Sequence, residues 1–364
     1  MKKIYNKIVV IVMAILVFGI SLACIIKPVD SYSMSERRKL ASFPKLSLST
    51  IKKGEFMRDF EDYALDQFIF RDKFRALKSF EELFIFNKED VNKLYIKDDY
   101  INKLEYPTSY KDLDYALAKF QTIKNQYLND NNQIYLSIVP DKNYFMATDR
   151  LSIDYDSFIK HVIEHNQLGE YIDIFDTLEL SDYYHTDTHW AQEKIVDTVD
   201  VIAKAMGVEI IKDYDKVLAD DNFKGVYYGQ LALNLDTDKL YYLDHESFKD
   251  IKVIKNNGIK EEEIPLYDLS KVGGKDSYEM FTGGNSSIVT ITNPNSTSER
   301  KLIIFRDSFT SSLAPILATG YSEITLVDIR YIQVDLLKNY VDFEDKDILF
   351  LYSTLVLNNS AALK

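Results

Sequence analysis

Two short segments carry residue types able to make and break an acyl bond. The first is Lys301-Leu302-Ile303-Ile304-Phe305-Arg306-Asp307-Ser308-Phe309, an apolar run ending at once in Asp-Ser. A serine at the carboxyl end of a buried strand presents its hydroxyl at the sheet edge. Its backbone N–H then lies near a helix N-terminus, where a developing oxyanion is stabilised. The second is Tyr183-Tyr184-His185-Thr186-Asp187-Thr188-His189-Trp190. Asp187 and His189 are two apart on a loop, so one carboxylate can orient one imidazole. His189 can then take the proton of Ser308. Each segment also has a plainer use. Asp-Ser after a strand caps a helix, as Asp187 or Thr188 could cap the helix that follows. The catalytic reading rests on the two together.

A third pattern competes. His161-Val162-Ile163-Glu164-His165 matches the H-x-x-E-H of inverted zinc peptidases. A helix would set both histidines on one face, but no third ligand is specified, and two surface histidines account for the pattern equally well. The only cysteine, Cys24, lies in the hydrophobic leader. The remaining chain therefore has no cysteine nucleophile, thiolate metal site or disulfide. No metal and no diffusible cofactor is expected.

The elements that must position these residues alternate. Residues 55–86 read as helix, with Phe56, Phe60, Tyr63 and Ala64 at helical spacing. The stretch Asp66 to Asp72 is read as part of an amphipathic helix packed on the domain, with membrane or partner contact as the alternative. Residues 111–129 read as helix, 134–139 as a buried strand, 171–175 as a short strand and 191–206 as an amphipathic helix closed by Gly207. Residues 302–305, 324–327 and 348–352 are buried-type strands, with a helix at 312–318. Strand-helix-strand order predicts an α/β fold with a doubly wound, mostly parallel sheet, whose sites lie at strand carboxyl ends. Residues 221–295, polar and rich in Tyr, Gly and Asn, are expected to form an insertion of hairpins and loops near the site.

Lys2, Lys3 and Lys7 precede a charge-free run from Ile8 to Ile26, closed by Lys27-Pro28. The run can just span a bilayer, and the preceding lysines place the N-terminus inside and the body outside. An uncleaved signal anchor fits best. Cleavage after Ser21-Leu22-Ala23 and lipidation of Cys24 are the alternatives, and all three put the body outside the cytoplasm. The domain reading is thus a transmembrane helix over 1–27, a stalk over 28–54 and a catalytic domain over 55–364. The formal net charge of -13, with no basic run beyond Glu36-Arg37-Arg38-Lys39, argues against nucleic acid as a partner.

Thr186-Asp187-Thr188-His189-Trp190 resembles the signature of the DHHW-motif family and the related periplasmic alginate O-acetyltransferases. Further segments agree in order: Glu36 to Pro44, Asp66 to Asp72, Val139-Pro140-Asp141-Lys142, Phe281-Thr282-Gly283-Gly284-Asn285, Arg306-Asp307-Ser308-Phe309 and Asp328-Ile329-Arg330-Tyr331. The resemblance covers roughly residues 30–355. It implies an SGNH-hydrolase-like fold with Ser308 as nucleophile, His189 as base and Asp187 as orienting group. It also implies Asn285 and the Ser308 amide as oxyanion donors, with Arg330 as a substrate contact. There are departures: Arg306 stands where SGNH enzymes have Gly, and Thr188 replaces the second His of the family name.

The activity implied is O-acylation, O-acetylation above all, of a cell-envelope polysaccharide or exopolysaccharide. The acyl donor would come through a membrane-bound O-acyltransferase partner. Two rivals keep the same residues: a serine esterase or deacetylase acting on that glycan, and a catalytically silent polysaccharide-binding scaffold.

Overall fold

The computed structural model describes residues 2–146, 151–258 and 260–364. It separates into two units, Met1–Val91 with Tyr228–Leu235, and Asn92–Tyr227 with Asp236–Lys364.

In the first unit the apolar leader forms one helix. Its segment Ile4–Ile26 is long and apolar enough to cross a membrane. Where a single helix was expected over 55–86, there are two, α1 (Glu55–Asp66) and α2 (Arg71–Phe80), the latter running into a π turn at Glu81–Ile85. The break has identifiable causes. The Asp66 carboxylate accepts two bonds from Arg38, at 2.9 and 2.6 Å, and one from the Ala41 amide at 2.8 Å. The bond from Arg38 holds the Asp66 carboxyl below its ordinary range despite burial. The Gln67 carboxamide exchanges bonds with the backbone of Asp30, at 2.9 and 2.8 Å. Phe70 absorbs the change of direction with a left-handed φ of 58°. Arg71 then pairs with Glu36 at 2.5 Å. The Glu36–Pro44 and Asp66–Asp72 segments thus meet in one polar cluster.

In the second unit the apolar strands form a sheet. Its strands are β1 (Ile134–Val139), β2 (Glu170–Ile172), β3 (Lys252–Asn256), β4 (Glu261–Ile264), β5 (Ile288–Thr292), β6 (Lys301–Arg306), β7 (Glu323–Val327) and β8 (Asp347–Ser353). The order is β4-β3-β5-β7-β6-β8-β1-β2. From β7 to β2 every pairing is parallel. β4, β3 and β5 pair antiparallel and join β7 antiparallel. The expected α/β, mostly parallel architecture is therefore present. Within the segment read as hairpins and loops, β3, β4 and β5 extend the main sheet. Val253, Val289 and Ile291 point into its core, so the local pattern is strand-like although short and interrupted by polar residues.

Both faces of the parallel strands are apolar, as a two-sided sheet requires. Leu302 and Ile304 of β6 lie in one core with Leu349 and Leu351 of β8. Ile303 and Phe305 lie in the other with Ile348 and Phe350. Helices α3 (Tyr110–Tyr127) and α4 (Tyr155–His165) cover the Phe305 face. Helices α5 (Val196–Ala205) and α6 (Thr310–Leu317) cover the Ile304 face. Phe350, ringed by Phe120 and Phe305 at about 4.9 and 4.8 Å, is a position where truncation to alanine costs ~3–5 kcal/mol. Because β1, β6, β7 and β8 run the same way, their carboxyl ends share one edge. That edge carries Asp141-Lys142, Asp307-Ser308, Asp328-Ile329-Arg330 and Ser353-Thr354.

Candidate active site

Strand β6 ends in a turn built by Asp307. Its Oδ1 accepts the Phe309 amide at 3.0 Å, and its Oδ2 accepts the Ser353 amide at 2.7 Å, tying the end of β6 to that of β8. Asp307 is thereby committed to the backbone. Ser308, half-buried, follows it, and Phe309 separates it from the start of α6.

The His189 ring lies against Ser308, with Nε2 2.7 Å from Oγ. Its other nitrogen, Nδ1, is 2.6 Å from Asp187 Oδ1. Asp187 is fully buried, and both of its carboxylate oxygens accept from protein donors. Oδ1 also accepts the His189 amide at 3.1 Å, and Oδ2 accepts the Val226 amide at 2.7 Å. The sequence-derived trio is brought together in the order Asp187, His189, Ser308. A carboxylate in this position fixes the imidazole's orientation and favours the tautomer whose Nε2 can accept the serine proton.

The loop bearing Asp187 is held from three sides. Asp238 accepts the His185 and Thr186 amides at 2.8 Å each and the Thr186 hydroxyl at 2.6 Å. Lys142 Nζ donates to the carbonyls of Ile101, Tyr184 and His185 at 2.6, 3.0 and 3.3 Å. Burial pushes the Lys142 ammonium down to about 7, against the opposing pull of Asp187, Asp238 and Asp141. On the third side Gly225 presses on the loop. A Cβ there would stand 2.3 Å from the Thr186 carbonyl oxygen and 2.4 Å from Asp187 Cβ. Only glycine admits so close a backbone approach.

Around His189 the packing is aromatic. Tyr278 stacks on its ring, and the Tyr278 hydroxyl lies 2.8 Å from Ser312 Oγ on α6. Trp190 Nε1 donates to the Phe309 carbonyl at 3.1 Å and to Ser312 Oγ at 3.0 Å. Trp190 thus binds the His189 loop to the Ser308 turn.

Asn285 is exposed beside Gly284, whose carbonyl accepts from Arg306 Nη2 at 3.0 Å. The Gly-Gly-Asn turn is thus tied to the residue two before Ser308. The Asn285 amide donates to Glu279 at 2.8 Å. Arg330 stands beyond β7, the neighbour of β6, and grips Asp328 with Nε at 2.9 Å and Nη2 at 2.6 Å. Burial works to lower the Arg330 guanidinium, and the pair with Asp328 outweighs it and raises it. Arg306 is fully buried and bonds Ser311 at 2.7 Å, and burial lowers it.

Tyr278, Asp238, Val226 and Gly225 escaped the sequence reading, since nothing in their local pattern sets them apart. Lys142 stood in a recognised segment without a role, although a lysine closing a buried strand was a usable signal. His161 and His165 lie on α4, with His161 Nε2 2.7 Å from Asp114 and the two rings stacked. Among the described residues no group of three or more His, Cys, Asp or Glu side chains could hold a metal ion.

The sequence model of the family described as DHHW protein matches residues 170–327, which include Asp187, His189, Asn285 and Ser308. Solved structures are similar over more of the chain. A DHHW family protein from Eubacterium siraeum superposes with a TM-score of 0.62 at 20% identity, over 75% of this chain and 94% of the other. Bacillus cereus PatB1, in a structure with a sulfonyl adduct, superposes with a TM-score of 0.59 at 17% identity, over 73% and 97%. The O-acetyltransferase domain of Pseudomonas putida AlgJ gives a TM-score of 0.44 at 12% identity, over 73% and 92%. Among curated proteins none matches the chain in sequence. At these identities the first two likenesses are of fold alone.

Proposed function

We propose that this chain is an extracytoplasmic O-acyltransferase, acting through an acyl-serine on a cell-envelope polysaccharide or exopolysaccharide. One observation carries the reading: His189 stands between Asp187 and Ser308 at 2.6 and 2.7 Å, with the carboxylate buried and the serine half-buried. That arrangement has one evident chemical use, the activation of a hydroxyl nucleophile. The Ser308 proton passes to His189 Nε2 as Oγ bonds to the acyl carbonyl carbon. The donor's alcohol or thiol leaves and carries that proton away. A sugar hydroxyl then yields its proton to His189 and attacks the acyl-serine, and Ser308 regains a proton as the sugar ester departs. The Ser308 amide and Asn285 are assigned to the oxyanion, and Arg330 to the substrate.

Transfer is favoured over hydrolysis by the apolar leader, read as a single-pass anchor with the catalytic residues outside the cytoplasm. It keeps the chain at the membrane, where a membrane-bound O-acyltransferase partner would deliver the acyl group. The resemblance to the DHHW and alginate O-acetyltransferase families points the same way.

The test is the sign of a phenotype. Cells carrying Ser308→Ala should make envelope glycan with less alkali-released acetate than wild type. A deacetylase would give more, and a silent scaffold no change. A sulfonyl fluoride, the reagent class suggested by the PatB1 adduct, should label the purified full chain at Ser308 and spare His189→Ala. Labelling elsewhere, or equal labelling of both, would remove the nucleophile from Ser308.

A further inference from the structure

Helix α2 is amphipathic in an inverted sense. Surface helices normally turn the apolar stripe inward and the polar stripe to water. Here the polar stripe faces the unit's own residues. Arg71 pairs with Glu36 at 2.5 Å, Arg75 Nη2 donates to the carbonyls of Gly229 and Gln230 at 3.0 and 2.8 Å, and Ser79 is 3% exposed. The apolar stripe faces out. Phe70, Phe74, Leu77, Phe80 and Phe84, at helical spacing through α2 and its π turn, are 48–61% exposed. A continuous aromatic strip of this kind marks a surface meant to be covered.

Its position names the cover. The leader helix ends at Ile26, and the residues just beyond it are tied to those just before α2. Asp30 and Gln67 exchange bonds at 2.9 and 2.8 Å, and the Ile69 amide points at Cys24 Sγ at 3.5 Å. The aromatic strip therefore begins beside the outer end of the leader, where a spanned bilayer would have its surface. Lys73 and Lys78 border the strip, and Lys73 Nζ reaches over the Phe70 ring at 5.2 Å. Aromatic side chains at the depth of the acyl boundary, flanked by lysines reaching to phosphates, are the pattern of a helix lying in a membrane interface.

We propose that the outward face of α2 docks on the outer surface of the phospholipid bilayer, next to the leader's exit. This rests on the leader being a membrane span. A lone span leaves the attached residues free to pivot, and a second contact on an adjoining helix removes that freedom for this unit.

The full chain, reconstituted in dioleoylphosphatidylcholine vesicles, tests this by tryptophan quenching. Trp190 is fully buried and gives a constant background. Phe74→Trp should lose most of its added emission when the lipid is replaced by its dibrominated form. Phe18→Trp, within the leader, is the reference for the span. Quenching at 18 without quenching at 74 overturns the docking and leaves the anchor standing. A blue-shifted but unquenched signal at 74 assigns the face to a second copy of the chain and also overturns it. Quenching at neither position removes the anchor and the docking together.

Discussion

The Tyr278 ring lies flat on the His189 imidazole, with centroids 3.9 Å apart and planes within 5°. An imidazole pinned on one edge by Asp187 and on one face by an aromatic ring has little freedom except along the line to Ser308. Tyr278→Phe should keep the stack and lose only the bond to Ser312, worth ~1 kcal/mol, with turnover within a few-fold. Tyr278→Ala should lower turnover of an activated acetyl ester on the order of a hundredfold, because the ring is no longer held to its line. Rates and melting curves measured together separate the two effects. Equal rates for both variants would mean the stack does not position the base.

His189→Ala should lose roughly three to four orders of magnitude in ester turnover with the fold retained by circular dichroism. His161→Ala and His165→Ala, on α4, should stay within a few-fold. The opposite ranking in the same assay would place the site on α4.

Gly225→Ala tests the close approach behind Asp187. The added Cβ must displace the Thr186 carbonyl or Asp187 itself, since neither distance, 2.3 or 2.4 Å, is tolerable. The expected cost is about 1–3 kcal/mol of stability, with a loss of turnover larger than the folded fraction explains. Crystallographic or NMR evidence that His189 keeps its distance to Ser308 in this variant would contradict it.

Lys142→Met removes an ammonium with three carbonyl partners. The His185 carbonyl keeps the Ile101 amide at 2.8 Å, but the buried lysine's bonds to the Ile101 and Tyr184 carbonyls are lost, at a cost of ~1–3 kcal/mol. The pH dependence has a definite sign. The folded chain releases the Lys142 proton at about 7, and the unfolded chain holds it to about the ordinary 10.5. Between those values the unfolded state binds more protons, so this group makes stability rise with pH. Urea unfolding of wild type and variant from pH 6 to 9 should show that rise in the wild type and a flatter line in the variant. Parallel lines would mean that Lys142 does not titrate there.

Asn285→Ala distinguishes two uses of one amide. As an oxyanion donor its loss should lower turnover by roughly 10²–10³ with substrate affinity little changed. If its bond to Glu279 is its whole purpose, turnover will hold and Glu279→Gln will mimic any stability change.

Much of this was legible without coordinates because it is local. Continuous apolar runs at 302–305 and 348–352 dictate a sheet buried on both sides, and such strands run parallel with sites at their carboxyl ends. An Asp-Ser at one such end and an Asp-x-His on a loop give the candidate reactive groups, and the charge-free Ile8–Ile26 run gives the apolar leader helix. What the sequence could not decide is contact between distant segments. Ser308 and His189 are 119 residues apart. They meet because β6 pairs with β7 and β8 and because Trp190 bonds across to Phe309 and Ser312. Tyr278 reaches His189 only through the folding of a polar segment with no distinctive periodicity. The direction of α2 is the sharpest case. Its helical stripe was readable, yet which stripe faces inward was set by Glu36 and by the carbonyls of Gly229 and Gln230. Period fixes that a helix has two faces, and only its tertiary partners determine which of them is turned outward.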